Sequence, residues 1–239
     1  MSDVELARDL ADSLLLAAGR PRRALAPPGP GAASRVRADC ALRAGPSALV
    51  RMRLRFLHMQ ARRVEPDGVT DCHGVALHPG DEAVPEEIAP EYRLADLLAA
   101  EHTLVRVVPA RRTVEPLVCG RVVRSRWPIH VLVRTRAEAF TRAGRRGQGL
   151  TRLNIEVLNV TDWPHSLDPD ESLRRSLLVP HLIVALDDAV FVPPDRPHER
   201  DDLWPVLLAG DLMLASPVPL PDRPGTTVTG RRAADAETG

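Results

Sequence analysis

A chain of 239 residues that is 44% apolar but only 3% aromatic has length for one generous core, and must fill it mainly with Val, Leu and Ala. All 32 basic residues are Arg and none is Lys, which excludes Schiff-base chemistry, a lysine general base and a Walker-type phosphate loop. Thirty-two acidic residues bring the formal net charge to zero, so no single sign of charge governs the whole molecule.

That neutrality is assembled from blocks. Residues 31–64 carry eight Arg against Asp39, 65–103 ten acids against Arg93, 104–153 twelve Arg against two Glu, and 154–203 eleven acids against four Arg. A chain with one basic purpose would concentrate its charge rather than compensate it segment by segment. No stretch approaches the roughly 20 apolar residues that span a bilayer, and the N-terminal MSDVELARDLADSLLLAAG has acids where a signal peptide needs positive charge. Cys40, Cys72 and Cys119 leave one thiol over in any disulfide scheme. A cytoplasmic protein with reduced cysteines and no membrane partner is expected.

In chain order, Leu6, Leu10 and Leu14 at a spacing of four predict an amphipathic helix over 3–19, ended by Gly19. The Pro/Gly-rich PRRALAPPGPGAAS that follows reads as a linker, so the helix could detach and offer its leucines to a partner. Residues 1–34 are thus an N-terminal helix and linker, 35–221 a β-rich core domain, and 222–239, with almost nothing apolar, a disordered tail.

Within the core, Val50, Met52, Leu54 and Phe56 alternate with Arg51, Arg53 and Arg55, which predicts a strand over 49–64 with one face buried. The alternation changes phase at Leu57 and predicts either a bulge there or a strand buried on both faces at its far end. Further strands are expected at 104–109, 117–124, 129–135, 152–160, 181–186, 189–193 and 206–218, with Asp187 and Asp188 forming a tight hairpin turn. Helices are expected at 93–103, through Leu94, Leu97 and Leu98, and from an Asp170 cap through Leu177 to a stop at Pro180. The fold class is mainly β (α+β): an antiparallel β-sandwich or partly open barrel with two or three short helices and an N-terminal helix.

Signatures whose spacing forces a mechanism are missing: there is no GxSxG, HExxH, GxGxxG or paired CxxC. The best metal candidates are Cys72, His73 and His78, beside Asp71 and Asp81 in TDCHGVALHPGDE, with zinc as the cofactor those atoms would take; their spacing matches no closed zinc site, and an exposed loop joining two strands is the favoured reading. Arg142, Arg145 and Arg146 in the Gly-rich 142–149 loop could grip an anion or nucleic acid, with Arg121, Arg124, Arg126, Arg134 and Arg136 on the flanking strands. Nucleic acid is disfavoured because only Trp127 and Phe140 offer stacking platforms nearby. Asp168, Asp170 and Glu171 complement a helix dipole, and His130 and His181 read as packed histidines. Trp204 precedes an apolar run and either seals the core or anchors a partner.

From Asn154 to Leu220 the chain orders a strand, a short helix, a hydrophobic hairpin and a Trp-Pro segment. With Asn159, Thr161, Arg175-Ser176-Leu177, His181, Phe191-Val192, Pro194, Trp204-Pro205-Val206-Leu207, Gly210 and Ser216-Pro217, this piece resembles an uncharacterised actinobacterial protein family. The resemblance covers under a third of the chain and implies an accessory role in nickel-iron hydrogenase maturation. The expectation is a non-enzymatic accessory or protein-interaction protein using Leu6, Leu10, Leu14 and Trp204. The alternatives are a hydrolase or metal-binding protein centred on Cys72, His73 and His78, and an anion or nucleic-acid binder using the 142–149 loop.

Overall fold

The computed structural model describes residues 3–17, 24–29, 33–66, 80–118, 120–141, 149–163, 168–193, 203–217 and 227–228. Its elements run α1 (Asp3–Ala17), β1 (Ala24–Leu25), β2 (Arg35–Pro66), β3 (Gly80–Ile88), β4 (Glu91–Arg93), α2 (Leu94–Ala99), β5 (His102–Val108), β6 (Arg111–Leu117), β7 (Gly120–Arg126), β8 (Ile129–Thr141), β9 (Gly149–Asn159), α3 (Pro169–Leu173), β10 (Leu177–Val192), β11 (Trp204–Ala209), β12 (Leu212–Ser216) and β13 (Thr227–Val228). All the strands join one antiparallel sheet, with β13-β11-β12-β10-β2-β9-β8-β5 as its main path, curled into a half-barrel. Of the two architectures expected, the partly open barrel is the one formed.

The spine is β2. Its 32 residues would span about 105 Å if straight, more than twice the roughly 45 Å width of a globule of this chain length, so the strand has to bend. Against one edge lie β9 (residues 35–42), β4 (49–51) and β3 (54–62); against the other lie β10 (41–57) and β7 (61–66). The largest irregularity falls where β2 advances from Ala44 to Leu49 while β10 advances only from Asp187 to Ala189. Gly45 presses on Asp188 there, and a Cβ on Gly45 would stand 2.2 Å from Asp188 Oδ2. Asp188 takes φ +53°, a conformation Asp tolerates, and accepts a 2.7 Å hydrogen bond from Ser47 Oγ. The expected Asp187–Asp188 hairpin is therefore corrected: the chain kinks without reversing, and 177–192 is one strand.

A second irregularity lies between the pairs Leu178/Leu57 and His181/Arg55. The bulge expected at Leu57 is at this level of the sheet, but its extra residue is in β10, where Val179 has φ +49°. Two more expectations are refined. The run 206–218 divides into β11 and β12 around a turn at Gly210 and Asp211, and 117–124 divides between β6 and β7. The helix expected from an Asp170 cap begins two residues earlier, with Asp168 as the cap and its Oδ1 accepting from Asp170 N at 3.0 Å, and it stops at Leu173; Pro180 belongs to β10.

The concave face holds the main core. Val50, Met52, Leu54 and Phe56 bury as the alternation requires, against Val131, Val133, Ile155, Val157, Leu182, Val184, Met213 and Ala215, and α2 adds Leu94 and Leu97. On the opposite face, Ala7 and Ala11 of α1 pack on Ile183, Val206, Leu212 and Leu214. The small alanines let the helix approach closely, and Asp12 reaches Arg55 of β2 at 2.7 Å. The helix read from sequence as detachable thus lies against its own sheet. Part of the expected linker also belongs to the core, since Leu25 is buried and β1 pairs with β10. Thr227 and Val228, in the expected tail, pair with β11.

The charge blocks resolve into cross-strand pairs. Arginines of β2 and β7 lie beside acids of β3 and β4, as in Arg53–Glu87 (2.6 Å), Arg51–Glu91 (2.7 Å), Arg62–Glu82 and Arg124–Glu82 (both 3.1 Å). Such pairs, exposed at Arg51–Glu91 and part-buried at the other three, stay within reach of water and contribute modest stability singly, but they fix register by penalising like-charge neighbours.

The β6–β7 turn depends on Gly120, whose φ is +144° and whose added Cβ would meet Glu65 O at 2.3 Å and Pro66 Cα at 2.8 Å. Backbone cannot step aside as a side chain would. Gly120→Ala is expected to lower stability by about 2 kcal/mol, read as a fall in the urea midpoint at constant m-value.

Candidate interaction surface

Every sheet edge is a row of hydrogen-bonding groups that natural proteins shorten, charge or interrupt with proline. Among the described residues the strands paired along one side only are β1, β3, β4, β5, β6 and β13, and longer strands also have unpaired stretches, residues 136–141 of β8 beyond the end of β5 and residues 35–40 of β2. Four of the one-sided strands are blunted by length or composition: β1 and β13 have two residues each, β4 three, and β3 carries Pro85 with Asp81, Glu82, Glu86 and Glu87. Pro116 and Glu115 interrupt β6. The remaining one-sided strand, β5, is seven residues of HTLVRVV without proline or acid, a row about 23 Å long.

The inner side of β5 is anchored. Leu104 and Val108 pack on the main core, and the His102 ring meets Tyr92 edge-on at 5.5 Å between centroids. Full pairing with β8 from His102/Thr135 to Val108/Ile129 fixes its register. The outer side is not covered: Val105 is 57% and Val107 54% exposed, and both stand across from the half-buried Leu132 and His130 of β8. Arg106, in the same strand, and Arg111 and Arg112, just beyond its end, are exposed and make no ion pair among the described residues. Arg134 on β8 is instead committed to Glu156 at 3.2 Å and Glu101 at 3.9 Å. The edge therefore combines a free backbone row, two exposed valines and the Arg106 guanidinium, with Arg111 and Arg112 following at the start of β6, and none of the three arginines has an ion-pair partner among the described residues.

The sequence-derived candidates lie elsewhere. Cys72, His73 and His78 fall in 67–79, and Arg142, Arg145 and Arg146 in 142–148; both segments are outside the described residues. Asp81, next to the first segment, gives both carboxylate oxygens to Arg174, at 3.0 and 3.2 Å. Among the described residues no three His, Cys, Asp or Glu groups are placed to hold a metal ion. Leu10 is partly buried against the outer cluster under α1, whereas the side chains of Leu6 and Leu14 are outside the described residues. Trp204 is half-buried and faces Ser216 across the β11–β12 pair, at the opposite end of the strand order from β5. Trp127, the possible stacking platform, has Arg174 and Arg175 at 5.5 and 5.6 Å from its ring centre, and Arg175 also lies 3.7 Å over Trp163. These arginines are in turn held by Asp81 and Glu171, so the stack is a closed structural clasp.

No protein-family model and no curated protein matches the chain.

Each of the two fully buried histidines gives one ring nitrogen to the fold, while the other, His58 Nδ1 or His181 Nε2, has no hydrogen-bond partner among the described residues. His58 Nε2 donates to Arg174 O at 3.2 Å, and burial, with the Arg126 charge beside it, lowers its pKa to about 4. His181 Nδ1 donates to Val179 O at 2.7 Å, holding the strained bulge residue; burial lowers this imidazole to about 4 as well, and Arg55 acts in the same direction. Both histidines are neutral near pH 7, and neither has a nucleophile among its hydrogen-bond partners. No helix among the described residues is long and apolar enough to cross a membrane.

The sequence identified 104–109 as a strand, but the helix expected over 93–103 stops at Ala99 and His102 and Thr103 open β5 instead, and nothing local in HTLVRVV marks it as the edge. Edge position follows from which strands pair, and β5 pairs only with β8.

Proposed function

We propose that this is a non-enzymatic accessory protein whose task is to hold another protein, within the hydrogenase maturation that the resemblance of residues 154–220 implies. The observation that carries the reading is the β5 edge, left unblunted where the other strands paired along one side only among the described residues are short, acidic or interrupted by proline. An exposed apolar edge invites aggregation, and its persistence is explained most economically by a partner that covers it.

The test is affinity purification of the tagged full-length chain from its host, followed by reconstitution with the purified partner on a sizing column. A complex of fixed stoichiometry is expected, together with loss of hydrogenase maturation when the gene is deleted. Recovery of the chain alone overturns the reading. Stoichiometric metal lost on Cys72→Ala with His73→Ala would replace it with the metal reading, and co-purified nucleic acid released steeply by salt would replace it with the anion-binding one.

A further inference from the structure

We infer that β5 accepts an extended, acidic segment of a partner protein as an added antiparallel or parallel strand, an inference that rests on the partner-holding role proposed above. The free edge supplies main-chain hydrogen bonds to any extended chain, and these give affinity without selecting a sequence. Selection comes from the side chains. Val105 and Val107 point to the outer face, where alternate apolar residues of an added strand would lie beside them and remove both from water.

Charge decides the occupant. Arg106, Arg111 and Arg112 stand in and just beyond β5 with no ion-pair partner among the described residues, while most strand arginines around them are matched to a glutamate. A second copy of this chain pairing edge to edge would add another Arg106 and no acid, since β5 carries none, and like charges across strands are destabilising. A segment with Glu or Asp alternating with apolar residues satisfies both features at once. Nucleic acid would use the arginines but leave the valine pair and the backbone row unsatisfied.

The probe is a blocked, fluorescein-labelled peptide of eight residues alternating Val and Glu, with a Val/Lys peptide of the same length as its opposite, titrated into the full-length protein by fluorescence anisotropy. The Val/Glu peptide is expected to bind saturably and more weakly with added salt, and the Val/Lys peptide at least about tenfold more weakly. Reversal of charge in Arg106→Glu, Arg111→Glu, Arg112→Glu is expected to invert that preference. Val105→Glu with Val107→Glu is expected to weaken the Val/Glu peptide by about tenfold or more while circular dichroism and the melting temperature stay unchanged, because both side chains are exposed. The inference is overturned if neither peptide binds, if the charge-reversed protein keeps the original preference, if a single-stranded oligonucleotide binds in place of the peptide, or if the wild type forms a dimer that the valine substitutions dissolve. The two proposals fail separately. A host complex that survives both sets of substitutions undiminished removes the β5 inference and leaves the partner-holding role standing, whereas charge-selective peptide binding by a chain recovered alone from its host does the reverse.

Discussion

Asn159→Ala is expected to lower the unfolding free energy by about 4 kcal/mol, a large fraction of the roughly 5–15 kcal/mol that holds a domain together. Asn159 is 1% exposed at the end of β9, and its side chain uses all of its polar capacity. Nδ2 donates to Leu25 O and to Arg175 O, each at 2.8 Å, and Oδ1 accepts from Thr161 N at 3.1 Å and Thr161 Oγ1 at 2.6 Å. Thr161 Oγ1 accepts in turn from His130 N at 2.9 Å. One amide thereby joins β1, β8, β9 and the turn after α3. Truncation takes this partner from two carbonyls, one N–H and one hydroxyl at a largely buried junction, each loss costing on the order of 1–3 kcal/mol where no other partner replaces it, with donors costing more than carbonyls. Asn159→Asp preserves the shape and the acceptor but aims a carboxylate at two carbonyl oxygens, so at pH 7 it is expected to be at least as damaging. Urea denaturation followed by circular dichroism measures both, and a loss below about 1 kcal/mol in the alanine variant would show that the network is not cooperative.

Asn159 and Thr161 stood in the sequence only among the residues that carry the resemblance, and their junction was not visible. Its partners are separated along the chain by as many as 134 residues, and no local pattern carries that information. The alternation Val50, Met52, Leu54, Phe56 was legible because a half-buried strand imposes a period of two on its own residues. The compensated charge blocks were legible for a related reason: basic β2 and acidic β3 are antiparallel neighbours from Leu54/Ile88 to Arg62/Gly80, so the sign change along the chain becomes a sign change across strands. Asp187 and Asp188 misled because an aspartate that tolerates positive φ serves a hairpin and a strand kink equally well. What distinguished the two was Gly45 on the facing strand, which admits the Asp188 side chain. The unblunted edge of β5 was hidden similarly, because whether a strand has one neighbour or two is decided by the rest of the sheet.

Acidification should weaken the fold well before its carboxylates are neutralised. His58 and His181 are both fully buried and neutral, with folded-state pKa values of about 4 against 6.5 for the free side chain. The unfolded chain therefore takes up protons at these positions that the folded chain refuses. Above pH 6.5 neither state is charged there, and the full stability is present. As pH falls from 6.5 towards 4 the unfolded state gains about 1.4 kcal/mol per histidine for each pH unit, and below about 4 the loss stops growing. At pH 5 the two together should have removed about 4 kcal/mol, a window in which ordinary Asp and Glu side chains are still largely ionised. Desolvation is the leading cause at both sites, so salt should change the slope little, although Arg126 beside His58 and Arg55 beside His181 add to it. Urea midpoints measured from pH 7.5 to 5 check this. Because each histidine contributes about half, His181→Gln and His58→Gln should each halve the slope even if they also lower the stability at pH 7.5. A midpoint that stays flat down to pH 5 would mean that the folded protein accepts the protons after all, by opening the bulge at Val179 around His181 or the contact of His58 with Arg174.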